Sequence, residues 1–428
     1  MTSQHNQKMV REIREFVRRD FHPRFGELKD QFASHPAWKQ LRELGTELWF
    51  DTGDIDAAER MWNREITALT TNNTLLNKEV QTGVYDDLIL QADDLLSSFT
   101  DLDDRQRRLE MAFILNAHHG LRLVERFDAF VSVEEHTDLA SDLDEAVYYA
   151  MRYHDVCPER FIVKIPFTPA GILATRKVVR QGITVNHTLG FSARQNYVVA
   201  RLAKPAFVNV FLGRLNSFIA DNGLGSGDYV GEKATLASQQ MIRMLHEKYG
   251  ISTRQIAASL RAGTQIRDLA GVDVMTMPLK AAREFLELKL AVADIVDKTY
   301  QQYAPGLSSD VNVDEIRLGT LWNVQDRLVS CVDALEQEDI DSFTPDDLVN
   351  FFTDHHCGDI LVKWQDEEMT LSTREGKIPE LRNWKNDLTC GRIGLDSLMN
   401  LAGLNSFITD QMAMDARVLD VLARKQSV

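Results

Sequence analysis

Short apolar runs alternate along this chain with longer stretches whose apolar residues recur at helical spacing. The strand-like runs are Glu47-Leu-Trp-Phe50, Ile66–Leu69, Ala129–Val133, Phe161–Ile165, Ile183–Val185, Phe207–Phe211, Gln255–Ala258 and Val272–Met275. Helical patterning covers 7–45, 84–127 and segments near 193–203, 233–248, 262–270 and 280–295. Thr168-Pro169 supplies an N-cap followed by proline at the first helical position, and Ser141 to Asp144 has capping-box spacing. Eight strands, each followed by helical material, predict a (β/α)8 barrel of the α/β class, with an open doubly wound sheet as the competing arrangement. Polar groups cluster just after or at the ends of these runs: Asp51, Asn72, Glu134, Lys164, Asn186, Thr188, Arg214 and Arg261. That is where a barrel of this kind carries its site.

The barrel body spans roughly 47–295, and the alternation is lost beyond it. Residues 296–428 read as a mainly helical extension packed on the barrel within one domain, 1–428. Within it Ser308–Asp314 is a loop, 318–336 is helical, Thr344-Pro-Asp-Asp347 starts a helix, 366–389 is polar and turn-rich, and Leu395–Leu422 is helical again. Additional helices precede the barrel and are inserted around 81–127.

Charge narrows the function. A formal net charge of -16 argues against non-specific nucleic-acid binding and against adhesion to anionic membranes. It leaves room for a local basic pocket that takes a small anionic substrate. Cys157, Cys331, Cys357 and Cys390 are too scattered for a disulfide scaffold. The opening sixteen residues have no apolar signal core, and no run of 18 apolar residues occurs, so a reducing cytoplasm is the expected home. His355-His-Cys357 does not complete a metal site, and Gly223-Leu-Gly-Ser-Gly227 lacks the lysine and hydroxyl of a phosphate loop. No metal or cofactor is expected.

One residue breaks its local pattern. In Arg160-Phe-Ile-Val-Lys-Ile-Pro166, Lys164 interrupts an apolar strand whose two faces would both be covered in a parallel barrel. Strand periodicity groups it with Ile162 and Pro166, so it faces the interior if Ile162 does. Burying an ammonium is costly, and burial favours the free amine, which can attack a ketone and form a Schiff base. Taken singly, a lysine at a strand end reaching for solvent is the commoner arrangement.

The surroundings change this. Lys164-Ile-Pro-Phe-Thr-Pro-Ala-Gly-Ile172 resembles the transaldolase signature around the Schiff-base lysine, and Gly182-Ile-Thr-Val-Asn-His-Thr-Leu-Gly-Phe-Ser192 resembles the next strand–turn unit. Asp51-Thr-Gly-Asp-Ile55, Thr70-Thr-Asn72, Phe211-Leu-Gly-Arg214 and Ala258-Ser-Leu-Arg261 are similar to the family's other elements, in order, over about 47–290. The resemblance implies Lys164 as Schiff-base lysine, Asp51 as the base at the C4 hydroxyl, and Glu134 with Thr188 as the pair holding a catalytic water. It implies Asn72, Asn186, Asn209 and Phe211 around the sugar, and Arg214, Ser259 and Arg261 at its phosphate. A phenylalanine where related aldolases have a tyrosine favours transfer over simple cleavage. The implied reaction moves a dihydroxyacetone unit from a ketose phosphate, such as sedoheptulose 7-phosphate, to glyceraldehyde 3-phosphate, a step of the pentose phosphate pathway.

Three departures accompany the resemblance: Asn73 where proline is usual, Asn209 where serine is usual, and Val210 in place of the next proline. Asn209 points to an altered ketose, so a Schiff-base sugar aldolase or a transaldolase for a modified ketose is the nearest alternative. A catalytically silent sugar-phosphate-binding barrel is the more distant one. The long extension would cover the site, form a homo-oligomer interface or enlarge the shell.

Overall fold

A computed structural model describes residues 4–425. Residues 1–3 of the opening segment lie outside the described residues. Eight parallel strands close on themselves in sequential order: β1 Glu47–Asp51, β2 Ile66–Thr70, β3 Phe130–Glu134, β4 Phe161–Pro166, β5 Val185–Thr188, β6 Phe207–Phe211, β7 Arg254–Ala258 and β8 Val274–Met277. The seam is the parallel pairing of β1 with β8, Glu47 opposite Val274 through Phe50 opposite Met277. The closed barrel is therefore the arrangement adopted, and the open sheet is not.

Several boundaries differ from the sequence expectation, mostly in one direction. β5 runs Val185–Thr188 rather than Ile183–Val185, and β8 runs Val274–Met277 rather than Val272–Met275. Asp51 and Glu134 are the last residues of their strands. Hydrophobicity alone stops a strand too early here, because the barrel's C-terminal ends are polar where they face the interior. The helix after β3 begins one residue later than its expected capping box: Asp142 is the N-cap and accepts from the Glu145 backbone N–H at 2.9 Å. Thr168 caps its helix as expected, accepting from Gly171 N at 2.9 Å.

The extension holds two further corrections. Residues 366–389 contain two helices, Asp366–Glu375 and Leu381–Thr389. Each offers a narrow apolar stripe, Trp384 and Leu388 being fully buried in the second, which the surrounding polar residues hide in a linear reading. The expected helix over 318–336 is a short 3-10 turn, Leu318–Leu321, followed by the helix Asp326–Leu335. The expected final helix is Leu395–Lys425.

The final helix is held against the barrel shell by a buried charge cluster. Arg194, on the helix after β5, donates to both carboxylate oxygens of Asp396 at 2.8 and 2.7 Å and to Asp359 at 2.8 Å. Ser192 adds a 2.6 Å hydrogen bond to Asp396, and Arg317 reaches Asp359 at 2.6 Å. Burial alone would raise the Asp359 carboxyl, yet the arginines hold it below the ordinary aspartate value. No helix among the described residues is long and apolar enough to cross a membrane. Removing one partner from such a cluster leaves a buried charge uncompensated. Asp396→Ala is expected to lower unfolding free energy by about 3 kcal/mol, read as a reduced urea midpoint; a change within experimental scatter would contradict this.

Candidate active site

The interior-facing residues at the strand ends meet at one level because the parallel register aligns them. Glu134 on β3 pairs with Lys164 on β4, and Lys164 pairs with Asn186 on β5. Lys164 is only 4% exposed, so its placement inside the barrel mouth agrees with the periodicity argument. Its Nζ donates to the Thr71 carbonyl at 3.1 Å and lies 3.7 Å from Glu134 Oε1. The Phe407 ring centroid lies 5.9 Å from the same nitrogen.

Two carboxylates share this amine. Burial raises the Asp51 carboxyl above its ordinary value, opposed by the charge of Lys164 and by a 2.7 Å hydrogen bond from Thr70 Oγ1. Thr70 is itself 2.6 Å from the Thr276 hydroxyl, which fixes its rotamer. Glu134 is likewise raised by burial, opposed by Lys164 and by the Asn73 backbone N–H, which donates at 3.1 Å. Asn73 thus stands where proline was the usual residue and supplies a donor that proline lacks. Glu135 differs from its neighbour. Its carboxylate oxygens are buried with no hydrogen-bond partner among the described residues, and burial followed by the charge of Glu134 pushes it well above the usual range.

The amides divide into used and available groups. Asn72 caps the helix Asn73–Gln81 through Oδ1, which accepts from Leu75 N at 2.8 Å. Asn186 Nδ2 donates to Ser132 Oγ at 3.1 Å, and its Oδ1 accepts from Asn209 Nδ2 at 3.2 Å. Asn209 also donates to the His187 carbonyl at 3.2 Å and accepts from Gly190 N at 3.2 Å. An amide at 209 therefore ties β5 to β6, a task beyond a serine's reach. Thr188 is fully buried, and its hydroxyl has no partner among the described protein atoms.

Another side of the cavity is built on β6, β7, the helix after β6 and the turn after β7. Arg214 is 5% exposed; burial and then the like charge of Arg261 lower it to about 10, and its Nη1 has no partner among the described residues. Ser259 has φ +62°, a left-handed backbone that turns the chain from β7 toward Arg261. Gly213 allows this close approach: a Cβ there would stand 2.2 Å from the Ser259 carbonyl oxygen and 2.7 Å from Arg261 Cγ. Phe211 packs at 5.6 Å from Phe191 and 6.4 Å from Phe407, ring centre to ring centre.

A cavity of about 220 Å³ is lined by Asp51, Lys164, Asn72, Asn186, Thr188, Asn209, Phe211, Arg214, Ser259 and Arg261. Glu134 reaches the same centre through its contact with Lys164. The fold thus gathers all eleven residues singled out from the sequence. Sequence reasoning missed Thr276, Lys78, Lys377 and Phe407, which also line the cavity. Thr276 and Lys78 follow from barrel closure and helix phase; Lys377 and Phe407 come from the extension and carry no local motif.

Comparison with known proteins points to one family. The family model "Transaldolase/Fructose-6-phosphate aldolase" matches residues 48–346. The chain belongs to the transaldolase/fructose-6-phosphate aldolase family. Among similar proteins, one named transaldolase from Xanthomonas euvesicatoria is 28% identical over 304 residues, covering 65% of this chain and 90% of that protein. A transaldolase from Xanthomonas oryzae is 30% identical over 296 residues, with 65% and 90% covered. One from Chlamydia felis is 28% identical over 267 residues, with 61% and 80% covered. Lys377 and Phe407 lie beyond the stretch matched by the transaldolase/fructose-6-phosphate aldolase model.

The raised Glu135 carboxyl has a measurable consequence. A carboxyl whose folded value is raised favours the native state fully below its unfolded value near 4.5, and that contribution is lost as pH rises towards the folded value. Glu135→Gln should therefore flatten the fall in stability between about pH 4.5 and neutrality, measured as urea midpoints across that range. Parallel wild-type and variant profiles would contradict the assignment.

Proposed function

We propose that this family member is a transaldolase that moves a dihydroxyacetone unit between sugar phosphates through a Schiff base on Lys164. The observation that carries the reading is a buried amine 3.7 Å from Glu134, in one cavity with Asp51 and two arginines. A silent binding barrel has no use for a buried amine beside two carboxylates.

In this mechanism the free Lys164 amine attacks the C2 carbonyl of the ketose phosphate, and loss of water from the carbinolamine gives an iminium. Glu134 and Thr188 hold the water that carries protons in these steps; the unsatisfied Thr188 hydroxyl supports that role. Asp51 removes the C4 hydroxyl proton, the C3–C4 bond breaks, and its electron pair moves into the iminium to give an enamine. The aldose phosphate leaves. The enamine carbon then attacks the acceptor aldehyde, Asp51 returns its proton to the new hydroxyl, and water releases the product ketose from Lys164. A carboxyl raised by burial accepts a hydroxyl proton more readily than an ordinary aspartate.

Asn186 and the free amide nitrogen of Asn72 orient the sugar hydroxyls, and Asn209 holds Asn186 in position. Arg214, Arg261 and Ser259 take the phosphate; the buried, unpartnered Arg214 Nη1 supports this. Phe211 offers no proton to the enamine, which favours its capture by an aldehyde. Sedoheptulose 7-phosphate and glyceraldehyde 3-phosphate are the first pair to test. In the proposed organisation the barrel body and residues 296–428 act as one domain.

Lys164→Ala is expected to abolish the borohydride-trapped adduct and to lower transfer by at least about 10³-fold; stoichiometric trapping in that variant would refute the role. With wild-type enzyme and donor alone, little free dihydroxyacetone should appear until acceptor aldehyde is added. Rapid release without acceptor would identify an aldolase instead.

A further inference from the structure

The extension reaches the cavity from outside the stretch that the family model matches. Lys377 follows the helix Asp366–Glu375, and Gly376, at φ +78° and ψ -137°, reverses the chain so that the lysine stands over the mouth. The turn is anchored to the barrel: Asn222, at the C-terminus of the helix that carries Arg214, donates to the Pro379 carbonyl at 3.0 Å and accepts from Leu381 N at 2.7 Å. Asp410 on the final helix accepts from Thr74, one turn from Lys78. Phe407, on the same helix as Asp410, lies 5.5 Å from the Arg214 guanidinium, ring centre to Cζ. The extension therefore closes one wall of the cavity.

The resulting charge pattern is lopsided. Lys78, Lys164, Arg214, Arg261 and Lys377 line the cavity against Asp51 as its one lining acid among the described residues. This occurs in a chain of net charge -16. The charges acting on Lys377 are Asp410, of opposite sign, and Arg214, Arg261 and Lys78, of like sign. Three like charges around an otherwise accessible ammonium are unfavourable unless an anion joins them, and a cleft of this kind concentrates anions.

We propose that Lys377 is a specificity-determining residue, the extension's own contribution to the subsite for the terminal phosphate of the sugar. Arg214 and Arg261 grip that phosphate from the barrel, and Lys377 closes on it from the mouth. The assignment rests on the sugar-phosphate reading above and adds to it a residue supplied from beyond the family's matched stretch.

Lys377→Met keeps most of the length of the side chain and removes its charge. With the ketose phosphate as donor, KM should rise about tenfold and kcat stay within about twofold. The preference for phosphorylated over unphosphorylated ketose, as a ratio of kcat/KM, should fall by a similar factor, and Lys377→Arg should restore most of it. Binding of inorganic phosphate, followed by calorimetry, should weaken about tenfold in Lys377→Met. This second measurement needs no turnover, so it separates the subsite from the transfer reaction: absence of any borohydride-trapped adduct in wild type would overturn the reaction and leave phosphate binding to be judged alone. An unchanged selectivity ratio with equal phosphate affinity in wild type and Lys377→Met, or no phosphate binding in wild type, would overturn the role of Lys377.

Discussion

A single primary amine sits inside a closed barrel, 4% exposed, and everything around it has to compensate for that burial. The compensation is specific. The Thr71 carbonyl accepts one hydrogen bond, Glu134 stands within ion-pair distance, and the charge of Asp51 acts from the end of β1. The carboxyls of Asp51 and Glu134 are in turn raised by the same burial, opposed by the charge of Lys164. The barrel wall and the Phe407 ring, 5.9 Å from Lys164 Nζ, lower the local dielectric and so strengthen these interactions.

Around that centre the polar side chains fall into two kinds. Some are consumed by the protein: Asn209 bridges β5 and β6, Asn72 caps a helix through its oxygen, and Thr70 holds Asp51. Others keep an unmet valence, notably the Thr188 hydroxyl and Arg214 Nη1. Buried polar atoms without partners are uncommon in folded proteins. The two that line the Lys164 cavity, on Thr188 and Arg214, support the proposed handling of water and of a phosphorylated sugar. The Glu135 carboxylate and His187 Nε2 also have no partner among the described residues, but burial pushes Glu135 up and lowers His187 to about 3.

The extension acts on the site through its anchoring. Arg194, Asp359 and Asp396 hold the final helix to the barrel shell, and Asn222 holds the turn before the helix Leu381–Thr389. With those points set, Phe407 and Lys377 arrive at the mouth although they are more than two hundred residues from Lys164 in sequence. Both residues lie beyond 48–346, the stretch matched by the family model.

The sequence by itself determined the alternation of strands and helices, the presence of a charged residue in an apolar strand, and the ordered motifs that carry the family resemblance. These are local properties, written in period and spacing. It placed strand ends poorly wherever an interior face turns polar, as at Asn186 and Thr188, because a polar residue facing a cavity looks like a loop in one dimension. It also missed the helices within 366–389, whose apolar stripes become visible only against the surface they cover. Barrel closure, the shared level of Glu134, Lys164 and Asn186, and the approach of Lys377 and Phe407 were decided by tertiary structure alone. The reason is physical: register and long-range docking depend on which surfaces meet, and no local pattern encodes a meeting between segments so far apart.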